Sequence, residues 1–340
     1  MSPMDTIDFT PLFNLRGEQA TPAPAAEALL QPDARRGAIY RLPASLHLAV
    51  EVALTTGRPL LLRGEPGTGK SSLAPYIARR LNWRYYEYVV TSTSTATDLL
   101  WRFDAVKRLA DAQARKVKAE EAYVDPGVLW WALDRPSAAA FAARSGGKEQ
   151  DAATNAKRDL DRAVVLIDEI DKAHPDLPNG LLVALGSNQF TVPYLDRPIE
   201  LTANGKPLDP PIGVDVSPVQ IVITTNEERE LPAAFVRRCV TYALQHPKAP
   251  ELVEIARAQF DRGEDDPFTS DDAALALAIA TRVDELRKQV TVGTHRPSTA
   301  EFLDAFRACR ARKITPDAGD SRWTLIETIT LAKPYVGSLV

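Results

Sequence analysis

The sequence predicts an α/β fold: a core on a central parallel sheet, followed by a small all-α lid domain. Three observations carry this prediction. Gly64-Glu65-Pro66-Gly67-Thr68-Gly69-Lys70-Ser71-Ser72 fits the phosphate-loop pattern G-x-x-x-x-G-K-[ST] without a gap. Ala163-Val164-Val165-Leu166-Ile167 is an unbroken apolar run ending in Asp168-Glu169, and a strand without alternation is buried on both faces. From Pro247 onward only helical periodicity remains.

At 340 residues the chain exceeds one ordinary domain, which suits a core with a smaller second unit. It is 45% hydrophobic and 25% charged, the composition of a soluble globular protein. A formal net charge of −4 speaks against nucleic acid as the default partner, although a local basic groove is compatible with it. Cys239 and Cys309 are too few for a disulfide framework and are not spaced as metal ligands, which suits a reducing cytoplasm. No apolar run approaches membrane-spanning length, and the N-terminus lacks the basic-then-apolar order of a signal peptide.

Taken in order, residues 1–36 read as a flexible arm, with Pro22 and Pro24 among alanines. The core is expected over 37–246 and the lid over 247–340. A helix over 43–56 carries Leu46, Ala49, Val50, Ala53 and Leu54 at helical spacing, and Gly57 ends it. A strand over 59–63 enters the phosphate loop, and Leu73, Ile77 and Leu81 mark the helix that leaves it. Residues 85–90, rich in aromatic and β-branched side chains, form the next strand.

Residues 91–162 are the least regular part. Leu99-Leu100-Trp101 is expected to begin a helix, and 104–121 to continue helical with Asp111 and Arg115 as an i,i+4 pair. These charges read as a solvated face rather than a binding surface. Of the adjacent Trp130 and Trp131, one is expected in the core and the other against a neighbour. Residues 145–162 read as a polar connector, a surface loop with some helix.

A β-hairpin is expected within 189–212, built from Phe190-Thr191-Val192 and Ile199-Glu200-Leu201 with Asn204-Gly205 beyond. Residues 219–226 form another buried strand, tipped by Asn226; a short helix from Pro232 reaches Arg237-Arg238, and 239–244 is the fifth strand. In the lid, Leu252, Ile255, Ala256 and Phe260 make one helical stripe. Ser270 is read as the cap of the next helix, and Ser298 with Glu301 as a capping box. A last helix starts near Ser321.

The chemistry follows from these placements. Three glycines permit backbone angles that side chains forbid, so successive N–H groups can converge on phosphate oxygens. Lys70 is expected to reach the terminal phosphates and Ser71 to ligate magnesium, with the helix N-terminus adding its positive dipole end. A plain glycine-rich turn would not need the whole pattern. Of the two acids after the apolar strand, one can hold the metal and the next can orient a water.

Phosphate loop, acidic strand, Asn-tipped strand, Arg237-Arg238 before the fifth strand and helical lid together are similar to the AAA+ ATPases. Arg63-Gly64-Glu65-Pro66-Gly67-Thr68-Gly69-Lys70-Ser71 resembles the loop of the MoxR-type group, in which Glu often follows the first glycine. Asp98-Leu99-Leu100-Trp101-Arg102-Phe103-Asp104 and Pro126-Gly127-Val128-Leu129-Trp130-Trp131 resemble the insertion that group carries around its second core helix. The resemblance covers about residues 38–310.

It implies ATP hydrolysis, with ATP on Gly64 to Ser72 at the carboxyl ends of the strands and Mg2+ on Ser71 and Asp168. Glu169 and Asn226 would position the attacking water, and Arg238, or Arg237 in its place, would reach a neighbour's γ-phosphate in a ring, usually of six. It also implies remodelling or assembly of a protein partner, with a von Willebrand factor A domain protein as the leading candidate. One departure stands out. The family usually has an arginine after the proline that opens the third lid helix, whereas Arg296 precedes Pro297 here. Either Arg296 substitutes as second sensor or that sensor is absent; the adjoining His295 reads as an exposed loop residue. The other classes are a nucleic-acid motor, for which no helix-turn-helix, zinc site or basic tail is visible, and a nucleotide-gated scaffold, which would not need the intact acid pair.

Overall fold

The computed structural model of the chain describes residues 13, 15, 39–193, 195, 197–203, 206–207, 216–261, 263, 266–289, 296–317 and 319–333. The expected arm, apart from Phe13 and Leu15, lies outside the described residues, as do His295 and the Asn204-Gly205 turn. The chain divides into two compact units. One comprises Met1–Ala38, Leu42–Arg63 and Ser71–Ala243; the other comprises Ile39–Arg41, Gly64–Lys70 and Leu244–Val340.

The first unit opens with helix α1 (Ala44–Thr56), which Gly57 ends in the left-handed region at φ 65°. Strand β1 (Leu60–Arg63), helix α2 (Lys70–Leu81) and strand β2 (Trp83–Val89) follow. Then come α3 (Ala96–Leu100), β3 (Trp101–Phe103), α4 (Ala105–Gln113), β4 (Val124–Pro126), α5 (Val128–Leu133), α6 (Arg135–Ser145) and α7 (Ala152–Asn155). Strand β5 (Asp159–Asp168) leads to α8 (Asp176–Gly180) and α9 (Leu182–Ser187). Next are the short antiparallel pairs β6 (Gln189–Phe190) with β7 (Ile199–Glu200), and β8 (Thr202–Ala203) with β9 (Lys206–Pro207). The unit closes with β10 (Val219–Thr225), α10 (Ala233–Val236) and β11 (Val240–Ala243).

The central sheet has the order β11-β1-β10-β5-β2, and every pairing in it is parallel. All seven residues of β10 are buried, as are Ala163 to Asp168 of β5, so the apolar runs lie in a sheet covered on both faces. Each such leucine, isoleucine or valine contributes roughly 1.5–3 kcal/mol when it leaves water. Register sets Arg63 beside Thr225, Ile223 beside Ile167, and Val89 beside Asp168. The carboxyl ends of these strands therefore share one edge of the sheet, where their polar terminal residues gather.

Three sequence expectations change in this unit. Leu99 and Leu100 end a helix rather than begin one, because Trp101 to Phe103 pair antiparallel with Val124 to Pro126. Trp130 and Trp131 are both buried, since α5 is apolar all round and packs against β2, β5, α3 and α6. The Asp111–Arg115 pair is replaced: Asp111 accepts from the Tyr123 hydroxyl at 2.9 Å, and Arg115 leaves the helix at φ 55°. The connector before β5 carries the short helix expected of it, α7, whose Asn155 is buried and bonded to both the N–H and the C=O of Tyr85.

The second unit holds α11 (Ala249–Phe260), α12 (Ser270–Gln289), α13 (Thr299–Arg312) and α14 (Ser321–Thr330). Its core stacks Phe260, Phe268 and Phe302 around Phe306, with the Phe260 and Phe306 ring centres 4.9 Å apart. Burial in that core pushes the Cys309 thiol up to about 11. The Ser298–Glu301 capping box is present in both directions. The cap of α12 is Thr269 rather than Ser270: Thr269 exchanges hydrogen bonds with Asp272, and Ser270 is already helical.

Candidate functional site

Within the first unit the strand ends build a continuous chain of hydrogen bonds. Ser71, in the first turn of α2, donates to Asp168 Oδ1 at 2.7 Å. Thr224, near the tip of β10, donates to the same oxygen at 2.6 Å and accepts the Glu169 N–H at 2.8 Å. The Glu169 carboxylate accepts from the Asn226 side chain at 3.3 Å on one oxygen and from Lys172 at 2.7 Å on the other. That carboxylate raises the Lys172 pKa above the ordinary lysine value. Asp168 and Thr224 are buried while Glu169 is partly exposed, so the anchor is inside and the second acid faces outward.

Local backbone helps set this geometry. Glu169 and Glu227 both adopt φ 60°, a left-handed conformation that ordinary residues hold only when surroundings fix it. The bond to Thr224 fixes the first. Asp171 fixes the second neighbourhood: its buried Oδ2 accepts the N–H groups of Asn226 at 3.1 Å and Glu228 at 2.9 Å. Arg63, last in β1, donates through Nε to Glu227 at 2.8 Å.

Ser71, Asp168, Glu169 and Asn226, all singled out from the sequence, thus come together. Thr224, Asp171 and Lys172 complete the cluster and were missed. Their only signal was polarity at the end of apolar strands. Ser72 is exposed on α2 and stands outside the bonded chain. Arg237 and Arg238 stand apart as well. Both are exposed just after α10, where Arg238 donates to the Ala234 carbonyl at 2.9 Å and the Arg237 carbonyl accepts from Arg58 at 3.4 Å.

The second unit contains the rest of the loop. Gly64, Gly67 and Gly69 have φ of 141°, 76° and 92°, values that side chains rarely adopt. A Cβ at Gly64 would collide with the Leu244 carbonyl, and one at Gly67 with Ser298. Lys70 is buried, and its ammonium donates to the carbonyls of Gly64 at 2.7 Å and Glu65 at 2.8 Å. Thr68 donates to the Glu65 carbonyl at 2.9 Å, and Pro66 is exposed. The Glu65 carboxylate engages Arg296 on one oxygen and His246 at 3.1 Å on the other. Burial, and next the Arg287 cation, hold His246 below the ordinary histidine value.

The donor chemistry fits the group that the motif implies. A hydroxyl and a carboxylate 2.7 Å apart are the hard oxygen ligands magnesium takes, and the glycine loop offers the close backbone approach that phosphates need. Among the described residues no helix is long and apolar enough to cross a membrane.

Several known proteins resemble the chain. A curated relative, the mitochondrial Lon protease homolog of Yarrowia lipolytica, is 29% identical over 157 residues, which is 43% of this chain and 10% of that protein. The chain thus spans about one tenth of that relative's length. A RuvB mutant from Thermotoga maritima matches with a TM-score of 0.43 at 16% identity, covering 84% of this chain and 67% of that one. The RuvB Holliday junction branch migration motor of the same organism matches at 0.40 and 16%, covering 83% and 66%. The family model for the AAA domain (dynein-related subfamily) matches residues 59–239, a span that contains the phosphate loop, the acidic strand tip, Asn226 and both arginines. The chain therefore belongs to the dynein-related subfamily of AAA domains and is an AAA+ ATPase.

Proposed function

We propose that this AAA+ ATPase is of the MoxR type, hydrolyses ATP with Mg2+, works as a ring of about six copies and remodels or assembles a protein partner in the cytoplasm. The bonded chain Ser71–Asp168–Thr224–Glu169–Asn226 is the observation that carries the hydrolytic reading. In this reading the loop from Gly64 to Ser72, with Arg296, receives ATP, and Ser71 and Asp168 hold Mg2+. The bound ion supplies charge neutralisation at phosphate oxygens.

The chain's own residues do the remaining work. Lys70 moves its three N–H donors from loop carbonyls to the terminal phosphates. Asp168 accepts the hydroxyls of Ser71 and Thr224 on one oxygen. Glu169 receives the proton of a water that Asn226 orients, and Thr224 keeps Glu169 where that transfer is in line. Arg238, or Arg237, adds a cation from the neighbouring copy.

The MoxR assignment is supported by the pairing of the two insertion segments, with Arg102 opposite Asp125 in one ladder. Within that assignment a von Willebrand factor A domain protein is the leading partner. The test measures ATP turnover alone, with DNA, and with candidate protein partners. Lys70→Ala should lose nucleotide binding, and Glu169→Gln should bind ATP without hydrolysing it. Wild-type turnover in Glu169→Gln would show the acid roles to be misassigned. Stimulation by DNA but by no protein would favour a nucleic-acid motor instead.

A further inference from the structure

Helix α4 is mounted with its polar side inward. Residues three and four apart share one face of a helix. Lys107 and Asp111 make such a face, and both are tied to the first unit: Lys107 donates to the Ser145 carbonyl, and Asp111 accepts from the Tyr123 hydroxyl. The far side carries Val106 and Leu109, three residues apart. Val106 is 80% exposed and Leu109 61%, and α4 buries none of its residues. A surface helix ordinarily does the reverse, turning its apolar stripe to the core.

The charges around this face are one-sided. The chain leaves α4 through Arg115, Lys116 and Lys118, all exposed, with Val117 exposed between them. The nearby carboxylates of Glu120 and Glu121 are matched by Arg108 and Arg144. Among the described residues no ion pair engages Arg115, Lys116 or Lys118. An outward apolar stripe therefore ends in an unmatched cationic cluster, on a chain whose formal net charge is −4.

We propose that the outer face of α4, with residues 115–118, is the docking surface for an acidic amphipathic helix of a protein partner. The proposal deepens the protein-partner reading above and rests on it. An apolar stripe on one helix is covered best by the stripe of another, and the cations select a helix flanked by carboxylates. Phosphates of nucleic acid would satisfy the cations but leave Val106 and Leu109 in water. A second copy using the same patch on a two-fold axis would bring the cationic clusters together.

Fluorescence anisotropy with a synthetic peptide tests this. The peptide has about 20 residues, with leucines at i, i+3, i+4 and i+7 and glutamates elsewhere, long enough to form a helix on binding. The full chain should bind it, more weakly as salt rises, and should not bind a counterpart with lysines in place of the glutamates. Val106→Ser with Leu109→Ser, and separately Arg115→Glu with Lys116→Glu and Lys118→Glu, should each weaken binding by about tenfold or more. The replaced side chains are exposed, so circular dichroism and melting temperature should stay at wild-type values. Absence of binding, or binding indifferent to both sets of changes, overturns the proposal. Tighter binding of duplex DNA to the same face also overturns it. So does a smaller oligomer in the Val106→Ser, Leu109→Ser variant, which would assign the face to a second copy. ATP turnover is followed in the same samples: its absence with peptide binding intact refutes the hydrolytic reading and leaves the docking face standing.

Discussion

Thr224 gives its hydroxyl hydrogen to Asp168 across 2.6 Å while accepting the Glu169 N–H at 2.8 Å, so one side chain fixes both acids. Thr224→Val keeps the shape and removes both bonds, leaving a buried carboxylate and a backbone N–H short of a partner. Lost bonds of this kind cost roughly 1–3 kcal/mol, so turnover should fall on the order of tenfold or more while ATP still binds. Thr224→Ser should retain most of the activity. Steady-state kinetics and nucleotide titration check both; equal turnover in the valine variant would remove Thr224 from the site.

Asp171 has a separate task. Its buried oxygen holds the N–H groups of Asn226 and Glu228, which pins the turn carrying the candidate water-orienting amide. Asp171→Ala strands two backbone donors, at a cost of about 1–3 kcal/mol where they stay buried. The variant should melt earlier than wild type and hydrolyse ATP more slowly. Unchanged turnover in a folded Asp171→Ala protein would show that Asn226 needs no such support.

The phosphate loop, the apolar strands and the acidic tip of β5 were legible because each is written in contiguous residues. What the sequence hid is what folding joins. Thr224 and Asp168 are 56 positions apart, and Glu65 and Arg296 are 231 apart. A threonine ending an apolar strand looks like the strand's edge until its neighbour in the sheet is known. Helix α4 shows the limit of periodicity: the period marks a helix, but only Ser145 and Tyr123 decide that the polar side turns inward. The two tryptophans of α5 show the same limit, since elements on every side bury both.

The second unit carries a pH response. His246 bonds to Glu65, yet burial and then Arg287 hold its pKa below the ordinary histidine value. As pH falls, the unfolded chain therefore takes up the proton first. The contribution of neutral His246 is complete above about 6.5 and is lost as pH drops below it through the folded value. Wild-type melting temperature should decrease more steeply than that of His246→Gln between about pH 7.5 and pH 5.5. Parallel curves would assign the acid sensitivity to other groups.

The exposed arginines after α10 permit a test of action between subunits. Arg238 is exposed and, among the described residues, donates only to the Ala234 carbonyl, outside the chain that joins Ser71 to Asn226. If it completes a neighbour's site, it contributes to transition-state charge there and little to ATP binding in its own copy. Arg238→Ala should then fold and bind ATP, yet lose on the order of a thousandfold in turnover. Mixing it with Lys70→Ala protein sharpens the test. Some interfaces then join an intact Arg238, from the Lys70→Ala copy, to an intact phosphate loop, from the Arg238→Ala copy. Part of the activity should return on mixing. If mixed rings form and remain as inactive as their parts, Arg238 does not act in trans, and the same mixing experiment moves to Arg237.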